Sequence, residues 1–266
     1  MSAKIVVLIP YYENRLGLID AINSIQESFP VDLMIVDDGS IKEPLQVDEA
    51  YKIYGDRGTI IYDVLPKNRG IENALNMGLQ NILERDYKYI GRLDCGDRFH
   101  KGKLEKQITY LEANKEVKLL GTWANIIDDK ENFIYIEKHP VYYNEIKKKI
   151  YLNTTFIHPS VVFESAILSQ IGLYPVSYPA AEDYAFFMSI VKKYKSENYP
   201  EVLMDYVVDP NSISSLKRKR QVKSRIKVIL ENYYLGWYPS YGLIRNILLL
   251  LISRTASNRI KSIIRK

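Results

Sequence analysis

The hydrophobic and polar positions of residues 1–130 follow two alternating patterns. Short apolar runs rich in valine and isoleucine end at turn residues, which is typical of strands buried on both faces. Between these runs, apolar residues recur every three or four positions, which predicts helices with one buried face. The predicted strands cover residues 4–10, 31–36, 59–64, 87–93 and 117–127, and the predicted helices cover residues 16–25, 71–83 and 101–113.

This alternation of strand and helix predicts a doubly wound α/β fold with a mostly parallel sheet. After residue 130 the pattern is less regular. There it predicts strands at residues 133–137, 160–163 and 202–208, and helices at residues 145–152, 182–194, 218–234 and 241–264. Ligands of open sheets bind beyond the carboxyl ends of the strands, and the acidic clusters at residues 37–38 and 94–97 fall at such ends.

Composition indicates the cellular compartment of the protein. Cys95 is the only cysteine, so no internal disulfide can form, which fits a reducing compartment. Residues 1–30 lack the charge and apolar pattern of a signal peptide. The longest apolar run, residues 247–252, is far shorter than the roughly 20 residues that span a bilayer. We therefore expect a cytoplasmic protein.

Charge is distributed unevenly along the chain. Residues 214–266 contain 13 Lys and Arg and one acidic residue, Glu231, so they carry +12, whereas the whole chain carries +5. The remaining residues are therefore acidic, with a net charge of −7. A basic tail on an acidic body predicts a polyanionic partner, either anionic lipid or nucleic acid.

Two polar motifs follow predicted strands in the first half of the chain. Asp37-Asp38-Gly39-Ser40 could accept hydrogen bonds from a uracil N–H or a ribose hydroxyl, but the same residues also form common turns. Asn68-Arg69-Gly70 opens a helix, where glycine allows close approach and arginine can meet a phosphate. No G-x-G-x-x-G follows any strand, which argues against a dehydrogenase.

A third motif predicts a metal site. Asp94 and Asp97 lie three residues apart around Gly96, between Arg92 and Arg98. Mg²⁺ and Mn²⁺ often take only one or two protein carboxylates and complete their shell with phosphate oxygens and water. The alternative is a loop whose aspartates are neutralised by the flanking arginines.

Candidate acid–base residues occur in the second half of the chain. Asp183, beside Glu182 at a predicted helix start, could remove the proton of an acceptor hydroxyl, although acidic residues also favour helix starts for dipole reasons. His158, before a short predicted strand, could lie near an acceptor or a diphosphate, or be structural. The three histidines and one cysteine of the chain form no recognisable zinc-binding motif.

Taken in order, these motifs resemble those of the family 2 glycosyltransferases, which have the GT-A fold. The resemblance covers about residues 4–210. It rests on Ile9-Pro10-Tyr11-Tyr12-Glu13-Asn14, Asp37-Asp38-Gly39-Ser40, Asn68-Arg69-Gly70, Arg92-Leu93-Asp94-Cys95-Gly96-Asp97, His158-Pro159-Ser160 and Glu182-Asp183-Tyr184.

The resemblance implies an inverting sugar transfer from a nucleotide-sugar donor, with UDP-sugars foremost, to a lipid-linked glycan acceptor of the kind used for lipopolysaccharide, capsule or O-antigen. It implies Asp183 as the base, and Asp94 and Asp97 as ligands of Mn²⁺ or Mg²⁺. His158 and Glu182 would lie near the acceptor or the diphosphate. The implied nucleotide-binding residues are Pro10, Tyr12, Glu13, Asp37, Asp38, Asn68, Arg69, Arg92 and Asp94.

Two residues depart from the family pattern. Gly96 stands where the family usually has the second aspartate of Asp-x-Asp-Asp, so one possible metal ligand is missing. Glu13 follows Tyr12 where asparagine is commoner, which alters the contacts expected near the base.

The basic carboxyl-terminal segment, residues 214–266, predicts a membrane-binding role. Residues 1–213 are expected to form the catalytic domain, and residues 214–266 a helical extension. Apolar and basic residues mix in the last helix, preceded by Trp237, Tyr238 and Tyr241, which favours binding in the plane of an anionic membrane surface. The protein would then be peripheral at the inner face of the cell membrane. The alternative is a helix that only covers the core.

Nucleic acid is not expected as a partner, because no stacking platform or recognition motif accompanies the basic charge. Two other functions stay open. A nucleotidyltransferase would need a glycine-rich loop after the first strand, and residues 10–15 contain no glycine. A degenerate protein that binds nucleotide without turnover is compatible with Gly96.

Overall fold

The valine- and isoleucine-rich runs become neighbouring strands of one sheet. The computed structural model describes residues 4–208 and 218–251, and within them nine strands form this sheet. The strands are β1 (Ile5–Tyr11), β2 (Asp32–Asp37), β3 (Ile60–Val64), β4 (Tyr89–Arg92), β5 (Arg98–Phe99), β6 (Val117–Ile127), β7 (Phe133–Glu137), β8 (Val162–Glu164) and β9 (Lys195–Val207).

Eight of the strands follow the order β3-β2-β1-β4-β8-β6-β9-β5. The ninth strand, β7, lies outside this order and pairs with β6. Strands β1 to β4 are parallel, and β6 and β9 run in the same direction. Strands β5, β7 and β8 run the opposite way. The carboxyl ends of β1, β2 and β4 therefore meet at one edge, where the predicted acidic clusters lie.

Helices cover both faces of the sheet. They are α1 (Arg15–Ser24), α2 (Val47–Tyr54), α3 (Ile71–Leu83), α4 (Lys103–Ala113), α5 (Tyr143–Lys149), α6 (Leu168–Ile171), α7 (Glu182–Lys193), α8 (Arg218–Glu231) and α9 (Trp237–Leu251). Successive residues of β1 point to opposite faces, so Val6 and Leu8 pack in the cluster with α3 and α7, whereas Val7 and Ile9 pack in the cluster with α1 and α4. Both faces are therefore buried, as the continuous apolar runs predict.

The carboxyl-terminal helices pack on the core and also present an exposed apolar face. Val228 and Ile229 of α8 are buried in the cluster that contains α7. Helix α9 lies against the segment before β8, where a Cβ on Gly242 would stand 2.1 Å from the carbonyl oxygen of Tyr151. The outer face of α9 exposes Trp237 and Leu251. In the described part of the chain, no helix has the length and hydropathy needed to cross a membrane.

Several element boundaries differ from the predicted ones. Helix α2 is absent from the predicted elements, and its fully buried residues are Ala50 and Tyr54. Strand β9 begins at Lys195 rather than residue 202, since its polar first half is held by hydrogen bonds instead of apolar burial. The predicted end of the last helix, residues 252–264, and the predicted domain boundary at residue 213 lie outside the described residues.

Candidate active site

Two clefts meet at Asp94, at the carboxyl edge of β1, β2 and β4. The first cleft has a volume of about 440 Å³. Its lining includes Pro10, Tyr12, Asn14, Asp38, Asn68 and Asp94. The second cleft has a volume of about 290 Å³. Its lining includes Asp94, Asn153, Thr154, His158, Asp183 and Tyr206. Because Asp94 lines both clefts, ligands bound in the two clefts would both lie against this residue.

Asp38 fixes the loop that forms one side of the first cleft. Its carboxylate accepts hydrogen bonds from the backbone N–H of Arg69 at 2.8 Å and of Gly70 at 2.9 Å. Burial raises the pKa of Asp38, and these two hydrogen bonds oppose that rise. Asn68 is thereby held at the cleft, whereas Arg69 is exposed and contributes its backbone N–H to this arrangement.

Glu13 and Asp37 lie behind the first cleft and shape a neighbouring loop. Glu13 accepts hydrogen bonds from three successive backbone N–H groups, at residues 41–43, which lower its pKa. Asp37 is buried and accepts from Ser40 N–H at 2.8 Å and Leu45 N–H at 3.0 Å. Neither side chain is part of the cleft lining, and both support the loop at residues 40–45. Their direct contact with a nucleotide stays a prediction.

Arg92 supports Asp94 from within the protein. Its guanidinium is fully buried, and it donates to the carbonyl oxygen of Leu8 at 2.8 Å and to Oδ1 of Asp94 at 2.5 Å. With this hydrogen bond Arg92 positions Asp94, and its own contact with a nucleotide stays a prediction. Burial acts to raise the pKa of Asp94, but the Arg92 guanidinium holds it below the usual value.

Asp97 is buried beside Asp94, and its two oxygens differ. Oδ1 accepts from the backbone N–H of Val207 at 2.9 Å, whereas Oδ2 is buried with no hydrogen-bond partner. Burial, and then the charge of Asp94, raise the pKa of Asp97 well above its usual range. An uncompensated buried carboxylate beside a second carboxylate is an environment that a divalent cation would stabilise. The two residues therefore fit a cation that takes its other ligands from a diphosphate and water.

The backbone conformation at position 96 disfavours the aspartate that the family usually has there. Gly96 has φ of +98°, a conformation that residues with a side chain rarely adopt, although a Cβ there would meet only Asn14 Nδ2 at 3.9 Å. A Cβ atom would fit at position 96, but an aspartate there would strain the backbone of the turn. Within residues 4–208 and 218–251, no cluster of three or more His, Cys, Asp or Glu is placed to hold a metal.

His158 is neutral and oriented by two donors. Its Nε2 lies 2.8 Å from the Tyr174 hydroxyl and 3.4 Å from Arg92 Nε. Because a guanidinium only donates, Nε2 accepts and the ring proton lies on Nδ1. Burial, and then Arg92, lower the pKa of His158 to about 3. His158 thus lines the second cleft as an uncharged group, next to the residue that joins the two clefts.

Asp183 lies in the first turn of α7 and lines the second cleft. Burial raises its pKa, and the guanidinium of Arg225 on α8 opposes that rise. A carboxylate with a raised pKa is a better proton acceptor once it is ionised. The structure thus brings the predicted base to the cleft that adjoins Asp94.

Glu182 lies beside Asp183 but lines neither cleft. Its Oε2 is buried without a hydrogen-bond partner, and burial, followed by the charge of Asp183, raises its pKa to about 8. It is therefore largely protonated at neutral pH. The contact of Glu182 with an acceptor or diphosphate stays a prediction.

Sequence reasoning missed several residues of the site. Asn14 lines the first cleft and caps α1 by accepting from Gly17 N–H at 3.0 Å, and a helix-start signal could have found it. Tyr174 and Arg225 act through His158 and Asp183, and nothing in their local sequence distinguishes them from packing or surface residues.

Comparison with known proteins identifies the family of the chain. The sequence pattern of Glycosyl transferase family 2 matches residues 6–169. An uncharacterized glycosyltransferase of Methanocaldococcus jannaschii is 30% identical over 223 residues, which cover 82% of this chain and 74% of that protein. The Escherichia coli protein named UDP-Gal:alpha-D-GlcNAc-diphosphoundecaprenol beta-1,3-galactosyltransferase is 27% identical, covering 90% of this chain and 86% of that protein. The chain spans only 66% and 28% of two other matching glycosyltransferases.

Solved structures share the fold. TarS of S. aureus in complex with UDP-GlcNAc has a TM-score of 0.67 at 16% identity, over 92% of this chain and 71% of that one. A mannosyltransferase of Pyrobaculum calidifontis in complex with GDP-Man and Mn²⁺ has a TM-score of 0.64 at 14% identity, over 95% of this chain and 71% of that one. The predicted GT-A fold is confirmed.

Proposed function

The chain belongs to glycosyl transferase family 2, and we propose that it moves a sugar from a nucleoside-diphosphate sugar, foremost a UDP-sugar, to a hydroxyl of a lipid-linked bacterial surface glycan. The observation that carries this proposal is the junction of the two clefts at Asp94, with Asp183 on the wall of the second cleft. The donor would lie in the first cleft and the acceptor in the second. The E. coli relative, whose name includes a diphosphoundecaprenol acceptor, supports the acceptor class.

The transfer would be a single displacement with inversion. Asp183 takes the proton of the acceptor hydroxyl while the hydroxyl oxygen bonds to the anomeric carbon. The bond from that carbon to the diphosphate oxygen breaks on the opposite face, so the configuration inverts. When bound, Mn²⁺ or Mg²⁺ would stabilise the charge of the departing diphosphate, and Asp94 and Asp97 would hold it. Arg92 keeps Asp94 ionised and in place for that task.

A panel of nucleotide sugars, tested for binding and slow hydrolysis with Mn²⁺, with Mg²⁺ and with a chelator, tests the proposal. We expect one or two UDP-sugars to bind with micromolar to millimolar affinity and to be hydrolysed faster with the cation. Binding of no nucleotide sugar under any of these conditions would overturn the assignment of the donor cleft.

We also propose that the protein is peripheral at the inner face of the cell membrane. Along α9, the side chains of Trp237, Tyr241, Ile244, Leu248 and Leu251 are all exposed and recur every three or four positions. Such an apolar stripe beside the basic α8 favours in-plane binding to an anionic surface.

Exchange of two residues of this stripe tests the membrane proposal. We expect Ile244→Ser with Leu248→Ser to weaken binding to phosphatidylglycerol vesicles by about tenfold or more, because two exposed aliphatic side chains that would enter the membrane are lost. The matched control, Leu16→Ser with Ile41→Ser, removes two exposed apolar side chains elsewhere and should leave binding unchanged. Equal binding by both pairs would contradict the proposal.

A further inference from the structure

A third cavity, separate from both clefts, lies between α5, α7 and the loop that joins α8 to α9. Its volume is about 350 Å³, at the lower end of the range of about 300–1,000 Å³ found for ligand pockets. Ile150, Met188 and Val191 form part of its lining, and all three are buried members of the core cluster around α7. Tyr234 stands at its edge and is about half exposed. The interior is thus apolar.

Three lysines surround this apolar interior, and we call it the lysine-rimmed cavity. Lys147 and Lys148 come from α5 and Lys192 from α7, and all three are exposed. No acidic residue is among the described residues that line it, and the nearby Glu145 pairs with Lys149, which does not line it. An apolar interior with a cationic rim is complementary to an amphiphile that has a hydrocarbon chain and an anionic head.

The cavity is close to the second cleft along the chain. Tyr151 lines the cavity and Asn153 lines the second cleft, and two residues span at most about 7 Å. Helix α9 is fixed to the residue between them, because Arg245 donates to the carbonyl oxygen of Leu152 at 2.6 Å. The cavity therefore lies next to both the exposed apolar helix and the cleft that contains Asp183.

We propose that the lysine-rimmed cavity binds the part of the lipid-linked acceptor next to its sugar, with the hydrocarbon chain inside and the phosphate oxygens at the lysines. The sugar would then extend past Asn153 into the second cleft. This inference rests on the proposed function, since it assigns the acceptor lipid of that reaction to a site that the transfer chemistry itself does not require.

Calorimetric titration with farnesyl diphosphate, a short isoprenoid diphosphate, tests the proposal on the full chain. We expect binding that weakens at least tenfold in Lys148→Glu with Lys192→Glu. The matched control is Lys149→Glu with Lys193→Glu, which makes the same charge change at adjacent positions on the same helices but outside the cavity, and it should stay within twofold. Inorganic diphosphate should bind at least tenfold more weakly than farnesyl diphosphate, because it lacks the chain.

A second pair tests the apolar part. Tyr234→Ser should weaken farnesyl diphosphate binding several-fold, whereas Tyr233→Ser, at the neighbouring exposed residue outside the cavity, should not. Equal losses in the two lysine pairs, equal affinity for inorganic diphosphate, or no binding of farnesyl diphosphate would each overturn the proposal.

Two further measurements on the same variants separate this proposal from others. If the cavity pair loses as much affinity for phosphatidylglycerol vesicles as for farnesyl diphosphate, relative to its control, the lysines serve general membrane docking and the proposal is wrong. Nucleotide-sugar hydrolysis should be unchanged in all four variants. Failure of that hydrolysis in the unaltered protein counts against the proposed function, whereas intact hydrolysis with unchanged farnesyl diphosphate binding in the cavity pair counts against the lipid site alone.

Discussion

Carboxylates near the two clefts differ in their hydrogen-bond partners. Beside the first cleft, Glu13, Asp37 and Asp38 accept hydrogen bonds from backbone N–H groups of the loops that they hold. Near the second cleft, Glu182 has a buried Oε2 without a hydrogen-bond partner, and the partly exposed Asp183 accepts from the backbone N–H of Tyr184. Desolvation raises the pKa of both. The first group shapes a binding surface, whereas the raised pKa of the second group favours proton uptake.

This contrast separates two uses of an acidic motif. A carboxylate that accepts from backbone amides of a loop fixes that loop, so its removal should disturb binding and folding first. A carboxylate in a desolvated site has a raised pKa and is a stronger proton acceptor, so its removal should disturb chemistry or pH dependence first. Three substitutions test whether the two clefts divide in this way.

The largest effect is expected at Asp183. Exchange to asparagine keeps the size of the side chain but removes the proton acceptor, so we expect kcat to fall by about 10³-fold, within the range of general base catalysis. The affinity for the nucleotide-sugar donor should change less than twofold, because Asp183 does not line the first cleft. Steady-state kinetics and donor titration on one preparation measure both. Turnover near that of the unaltered protein would show that another group is the base.

An intermediate effect, which depends on pH, is expected at Glu182. Its folded-state pKa is raised to about 8 from 4.5, so between these values the folded protein keeps a proton that the unfolded chain has lost. Stability therefore falls as the pH rises through this window. Glutamine does not titrate, so the free energy of unfolding of Glu182→Gln should match that of the unaltered protein near pH 4.5 and exceed it by about 2 kcal/mol or more at pH 8.

Urea unfolding at the two pH values measures this difference. Glu84→Gln, at an exposed position after α3, is the matched control and should differ from the unaltered protein by less than about 0.5 kcal/mol at both. A difference for Glu182→Gln that is the same at both pH values would show that the carboxyl is not protonated in the folded state.

The smallest effect is expected at Asp38. In Asp38→Asn, one oxygen that accepts from Arg69 or Gly70 becomes an NH₂ group that faces another donor. We expect the loop to loosen and the donor Kd to rise about tenfold, which corresponds to roughly 1.4 kcal/mol, with kcat changed little. Donor titration measures this, and the exposed Asp86→Asn serves as control. If kcat fell as far as in Asp183→Asn with donor affinity intact, the division between the clefts would be wrong.

The part of the fold that the sequence predicts is the part with regular apolar burial. Strands β1 to β4 and helices α1, α3 and α4 follow from their periodic patterns, and the rule that parallel strand ends share an edge places Asp38, Asn68 and Asp94 together. The first half of β9 could not be read in this way. Asn198 there is buried because its Nδ2 donates to the carbonyl oxygens of Pro140 and Thr155, and such long-range hydrogen bonds have no local pattern.

The candidate site was predictable in its members but less so in their roles. Motif spacing indicates that Arg92 and Glu13 belong near the site, yet whether a charged side chain points to a ligand or to the protein depends on distant backbone groups, such as the carbonyl of Leu8 for Arg92. The contribution of Arg225 comes from a helix about 40 residues further along the chain than Asp183. Only the packing of α8 against α7 brings the two together.

The position of Asp94 in both clefts has a thermodynamic consequence. A single carboxylate is the common wall of the two binding sites, so a ligand that changes its charge or its position from one side alters the free energy of binding on the other side. Linkage requires this influence to be mutual: the factor by which donor changes the affinity for acceptor equals the factor by which acceptor changes the affinity for donor. Cooperativity between two substrates can thus be built into one shared residue, without any moving domain.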